Sequence, residues 1–108
     1  MQFNEYQNQA KQTAIFPPQE ALAYLSLGLT SEAGEVAGKA KKIIRDHGGV
    51  ITDDYRVALT GEIGDVLWYI AMLASHLNIS LDDIAAANLE KLFSRKERGT
   101  LSGDGDNR

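Results

Sequence analysis

The sequence contains no cysteine, which excludes disulfide staples and thiolate zinc sites and suits a reducing compartment. Histidine is nearly absent too. Neither His47 nor His76 stands three residues after a glutamate, so the Glu-x-x-His signature of di-iron bundles is missing. Basic residues number eleven against fifteen acids and the pI is near 5.0, which argues against binding a nucleic-acid polymer. No run of about 20 apolar residues is available to span a bilayer. The opening MQFNEYQNQAKQ lacks the apolar stretch of a signal peptide. A cytoplasmic protein without a membrane partner is therefore expected. P-loop, EF-hand and Ser/His/Asp arrangements are also missing.

What is present is helical periodicity in a chain of 108 residues, enough for one modest core. The only prolines are the pair Pro17-Pro18, and glycines gather at positions 48–49 and in the last ten residues. Asn4 can cap a first helix over roughly 5–14, with Gln7 reaching back. A second helix is expected from about Gln19 to Arg45, with Leu22, Leu25, Leu29, Val36 and Ile43 as its stripe, stopped by His47-Gly48-Gly49. Thr52 caps a third helix to about Leu77, striped by Leu59, Ile63, Val66, Ile70, Leu73 and Leu77. Ser80 with Asp83 opens a fourth, to about Arg98. No strand alternation competes. The expected fold is all-α: a four-helix bundle-like core in residues 1–98, two of its helices long and antiparallel, followed by a Gly/Asp-rich tail, 99–108.

Carboxylates interrupt the buried faces. Stepping along the second helix as 22, 25, 29, 32, 36, 39, 43 places Glu32 and Lys39 in line with its leucines, with Glu35 about 60° around. The third helix, stepped as 59, 62, 66, 69, 73, places Glu62 in line and Asp65 three residues on. One such pair is ordinary on a solvated face. Two in register on neighbouring helices are costly to bury, because unpaired carboxylates lose several kcal/mol each or take up protons. A divalent cation relieves that cost. Carboxylate oxygens without His or Cys favour Mg²⁺, with Mn²⁺ as a substitute, and such ions arrive with substrate phosphates. Lys39 could steady the acids, meet a phosphate, or pair with Glu35 one turn away. Asn88, Lys91 and Arg95 share a face of the fourth helix, where the basic pair could meet phosphates and Asn88 a base or ribose; a solvated basic face near a helix C-terminus is the plain alternative. Trp68 reads first as core and second as a wall for a base.

LTSEAGEVAGKAKK and LTGEIGDVLWYIAMLA, with the NEYQ opening and NLEKLFSRKERG, resemble the MazG-like nucleoside triphosphate pyrophosphohydrolases of the all-α NTP pyrophosphatase superfamily. The resemblance implies hydrolysis of a nucleoside triphosphate to the monophosphate and pyrophosphate. It implies Mg²⁺ bound by Glu32, Glu35, Glu62 and Asp65, with Glu32 activating the attacking water. It also implies a homodimer or a dimer of dimers with helices of more than one chain around each site, and it favours substrate roles for Asn88, Lys91 and Arg95. By the same likeness, the tail LSGDGDNR would close over nucleotide and bring Arg108 to phosphate. Ser31 departs from the pattern, since many relatives carry a further glutamate there. That departure leaves open a nucleotide-sensing module without turnover. A structural hairpin whose acids form salt bridges is the third possibility.

Overall fold

The computed structural model describes residues 1–108. Four α-helices and no strand make up the chain: α1 (Phe3–Ala10), α2 (Ala21–His47), α3 (Asp53–His76) and α4 (Leu81–Glu97). Short 3₁₀ turns at Lys11–Thr13 and Pro18–Glu20 lie between α1 and α2. The second of these contains Pro18, whose missing N–H costs nothing in a first turn. Gly48, with φ at +58°, ends α2 in the left-handed conformation. Thr52 starts α3 by accepting a hydrogen bond from the Tyr55 amide. A connection of five residues therefore folds α3 back along α2. The pairs Gly28–Tyr69, Lys39–Glu62 and His47–Tyr55 show the antiparallel register, one number rising as the other falls.

Packing separates the two ways of drawing the α3 stripe and trims one end of the α2 line. On α2, Leu25 and Ile43 are buried and Leu29, Glu32, Val36 and Lys39 half-buried, whereas Leu22 lies open to solvent. On α3, the line Leu59, Glu62, Val66, Tyr69 and Leu73 is half-buried, while the expected core residues Ile63, Ile70 and Leu77 are exposed. The line through the acids is thus the inward one. Both lines repeat every seven residues and share Leu59, Val66 and Leu73. They differ in the flank they take, and the flank carrying Glu62 and Tyr69, not Ile63, Ile70 and Leu77, is the one turned toward α2.

The core gathers at the end where α2 begins and α3 finishes. Leu25 sits among Ala10, Ala21, Ala71, Met72, Ala74 and Leu81, with Tyr6, Phe16, Trp68 and Tyr69 against its edge. Burying Leu25 contributes roughly 1.5–3 kcal/mol. Alanines predominate here, so the helices approach closely. Gly28 takes this furthest: a Cβ there would lie 2.1 Å from the Tyr69 ring, which is why the position carries no side chain.

The first helix departs from expectation. It begins at Phe3, ends at Ala10 and has no side-chain cap. Asn4 and Gln7 serve the start of α4 instead. Gln7 is buried, donates to Ser75 Oγ (3.1 Å) and the Ile79 carbonyl (3.0 Å), and accepts from the Leu81 amide (2.9 Å). Asn4 Oδ1 accepts from the Asp82 amide, and Ser80 Oγ from the Asp83 amide as the sequence implied. Three first-turn donors of α4 are therefore satisfied, two of them from a helix more than seventy residues away in sequence.

Beyond that junction α4 leaves much of its apolar surface open, with Leu89, Leu92 and Phe93 all exposed. The segment after α4 is folded back on its end. The Arg108 guanidinium donates to the carbonyls of Thr100, Leu101 and Gly105, and Arg95, itself buried, donates to the Asp106 carbonyl. By length and composition α3 alone is long and apolar enough to cross a membrane, although Glu62 and Asp65 interrupt its apolar residues. Ala71, Met72 and Ala74 of α3 are core, whereas Val57, Ile63 and Ile70 are exposed.

Candidate functional site

Glu32 on α2 and Glu62 and Asp65 on α3 face one another midway along the hairpin. Each offers a carboxylate oxygen, and these oxygens all lie within 4.8 Å of one another. Helix geometry is the cause: Glu32 and Glu62 occupy the inward line of their helices, and Asp65 reaches in from the side one turn after Glu62. Glu35 is exposed and stands outside this trio. Of the four acids singled out in the sequence, the structure brings three together.

Like charges this close oppose ionisation. Burial, followed by the charges of Asp65, Glu62 and Glu35, raises the proton affinity of Glu32 above the ordinary carboxylate value. A single protein cation answers the cluster. Lys39 Nζ lies 2.8 Å from Glu62 Oε1, and this contact holds the Lys39 pKa above the ordinary lysine value. The partner is not Glu35, one turn away on the same helix, but an acid across the helix pair.

A cleft opens over the acids, lined by Thr13, Glu32, Asp65, Trp68 and Tyr69 and holding about 310 Å³. Its walls were only partly legible. Trp68 is half-buried and belongs to the edge of the core as expected, yet it also faces the cleft. Its indole N–H donates to Thr13 Oγ1 at 2.8 Å, and its ring meets Tyr69 edge-on with centroids 4.9 Å apart. Tyr69 is held over Gly28, and burial, then Tyr24 and Glu32, keep its phenol protonated above the usual range. Burial, and after it the charge of Asp65, raises the phenol of Tyr6 on α1 above its ordinary value as well. Thr13, Tyr6 and Tyr69 were missed. Only Tyr69 carried a signal, since it falls on the inward line one turn after Asp65.

The other sequence candidates lie elsewhere. Asn88 and Lys91 are exposed on α4, sharing a shallow groove with Ile84 and Ala87 rather than lining the acidic cleft. Arg95 and Arg108 spend donors on carbonyls of the C-terminal segment. Within one chain the tail closes on α4, with no contact to the acids.

The donor set fits a hard divalent ion: carboxylate oxygens only, convergent, half-open to water, and carrying more negative charge than one ammonium neutralises. The sequence profile of the MazG nucleotide pyrophosphohydrolase domain matches residues 19–100. Over 114 aligned positions covering the whole of both chains, the protein is 48% identical to the Gene 37 protein of Mycobacterium phage L5. No solved structure matches significantly.

Proposed function

Because the chain belongs to the MazG nucleotide pyrophosphohydrolase domain family, we propose that it hydrolyses nucleoside triphosphates, deoxy or non-canonical ones included, to the monophosphate and pyrophosphate with Mg²⁺. The observation that carries this reading is the convergence of Glu32, Glu62 and Asp65 beneath an aromatic-walled cleft. These three would hold the metal, with Glu35 as a further acid within reach. A divalent ion supplies charge neutralisation for phosphate oxygens and makes nearby water more acidic. The chain's own residues supply the rest. Glu32, with its raised proton affinity, is suited to take the proton from the attacking water. The water oxygen then bonds to the α-phosphorus, the α–β anhydride breaks and pyrophosphate leaves. Trp68 and Tyr69 offer flat apolar faces to a base or sugar.

The same reading includes a homodimer or homotetramer, with Asn88 and Lys91 brought to the acids of a neighbouring copy. Surface area supports it. The chain exposes 7788 Å² and has a radius of gyration of 16.8 Å. A compact monomer of this size exposes about 5,900 Å² with a radius near 13 Å. The excess, roughly 1,900 Å² per chain, is of the size that obligate interfaces cover.

Incubation with a panel of ribo- and deoxyribonucleoside triphosphates, with and without Mg²⁺, followed by ³¹P NMR, tests the reading. Metal-dependent release of pyrophosphate is expected. Release of orthophosphate, or turnover indifferent to chelator, overturns it. A binding module without turnover is favoured by Glu35 standing apart from the trio and by Ser31 beside Glu32; saturable nucleotide binding with no product identifies that case.

A further inference from the structure

Lys39 makes the one ion pair that joins two helices; the other ion pair links the sequence neighbours Arg45 and Asp46. Its partner Glu62 belongs to the trio that fits a divalent ion, so ammonium and metal have claims on the same carboxylate. We propose that Lys39 is an exchangeable internal cation: it neutralises Glu62 in the metal-free protein, competes with the divalent ion for that carboxylate, and is released toward phosphate oxygens when the ion binds. The inference rests on the metal-centre reading above and assigns a regulator to it.

Charge and reach argue for exchange rather than permanent pairing. Three ionised carboxylates within 4.8 Å carry one unit of charge more than a divalent ion cancels, and Lys39 covers one such unit. With metal alone the two cations together balance the trio, so the ion takes the Glu62 oxygen while Lys39 moves no further than the exposed Glu35; a phosphate-bearing ligand then adds the negative charge that draws it onward. The lysine head is a compact, hydrated point charge on four flexible carbons, able to swing between anions where a forked guanidinium would be held. Glu35, exposed one turn away on α2, offers a resting place en route. Competition and release are two sides of one coupling: whatever Lys39 costs the metal, the metal costs the Lys39–Glu62 contact. The consequence is an acidic cleft that holds divalent ions loosely until triphosphate arrives.

The first test uses the wild-type protein. Reductive methylation with mass-spectrometric readout is compared in chelator and in Mg²⁺; labelling of Lys39 is expected to rise several-fold while Lys41 and Lys42 stay constant. The second is a Mn²⁺ titration followed by electron paramagnetic resonance on folded variants. Lys39→Met is expected to tighten Mn²⁺ binding roughly tenfold. Lys39→Arg, whose fork stays on Glu62, is expected to weaken Mn²⁺ binding, whereas Lys42→Met, removing an equal charge from an exposed lysine, is expected to change it by about twofold or less. The proposal is overturned if Lys39→Met leaves Mn²⁺ affinity unchanged or weaker, or if Lys42→Met tightens it equally. Should the wild type bind no Mn²⁺ at all, the metal-centre reading falls and this inference with it.

Discussion

Two half-buried polar regions sit at different heights of the same hairpin, and they are built on opposite terms. At the α1–α4 junction, Gln7 makes three hydrogen bonds and Asn4 a fourth, two of them to the Leu81 and Asp82 amides that would otherwise be orphaned at a helix start. Midway along α2 and α3, three carboxylates share one ammonium. In the first region the Gln7 side chain is committed to the fold through both its oxygen and its nitrogen, although the junction borders a polar groove of its own. The second holds negative charge in excess and faces an open cleft. A satisfied network reads as scaffold, a crowded and under-compensated one as a place awaiting a ligand.

The largest expected effect breaks the second region alone. Asp65→Asn should cut kcat/KM by more than the roughly 10–100-fold typical of losing a group that only supports a metal ligand. Circular dichroism should show the helices unchanged. Glu35→Gln is the informative partner. An equally deep loss would mean that Glu35 joins the trio when metal binds, whereas a shallow one would fix the centre at three acids.

Next in size is a change that breaks the first region and spares the second. Gln7→Leu keeps the volume but strands the Leu81 amide and the Ile79 carbonyl, at a cost of about 2–3 kcal/mol. For a chain of this length that lowers Tm by about 10 °C or more in a thermal melt. Activity per folded molecule should be unaffected. A melt that does not move would mean that water replaces the glutamine, and the contrast between scaffold and site would lose one side.

Legibility in the sequence followed the range of the interactions involved. Caps whose partners lie three residues away, Thr52 with Tyr55 and Ser80 with Asp83, were readable because both atoms sit in one turn. The inward position of Glu32 and Glu62 was readable from heptad steps along one helix. Asn4 and Gln7 were misread as local caps, because a capping pattern does not say which helix its oxygens meet. The partner of Lys39 was hidden for the same reason: Glu35 is near in sequence, but the antiparallel register puts Glu62 nearer in space. Thr13 left no trace, since a lone threonine after a short helix has no pattern until a tryptophan N–H is placed against it.

The smallest expected effect lies inside the acidic region, where the cleft is open enough for solvent to screen it. Burial and neighbouring acids place the folded-state pKa of Glu32 above its unfolded value. The folded protein therefore binds a proton there more tightly than the unfolded chain does, and stability falls as pH rises from the ordinary carboxylate range through the raised value. Above that window the full penalty of an ionised Glu32 is present. Glu32→Gln removes it, so in chelator at neutral pH the variant should melt slightly higher than wild type. The difference should shrink as the buffer is acidified, because wild-type Glu32 then takes up its proton. Added Mg²⁺ should reverse the order, stabilising wild type and leaving the variant nearly where it was. A Glu32→Gln protein that melts lower in chelator across this range would mean that the carboxylate is held by partners the fold needs, and the acidic region would then belong with the scaffold.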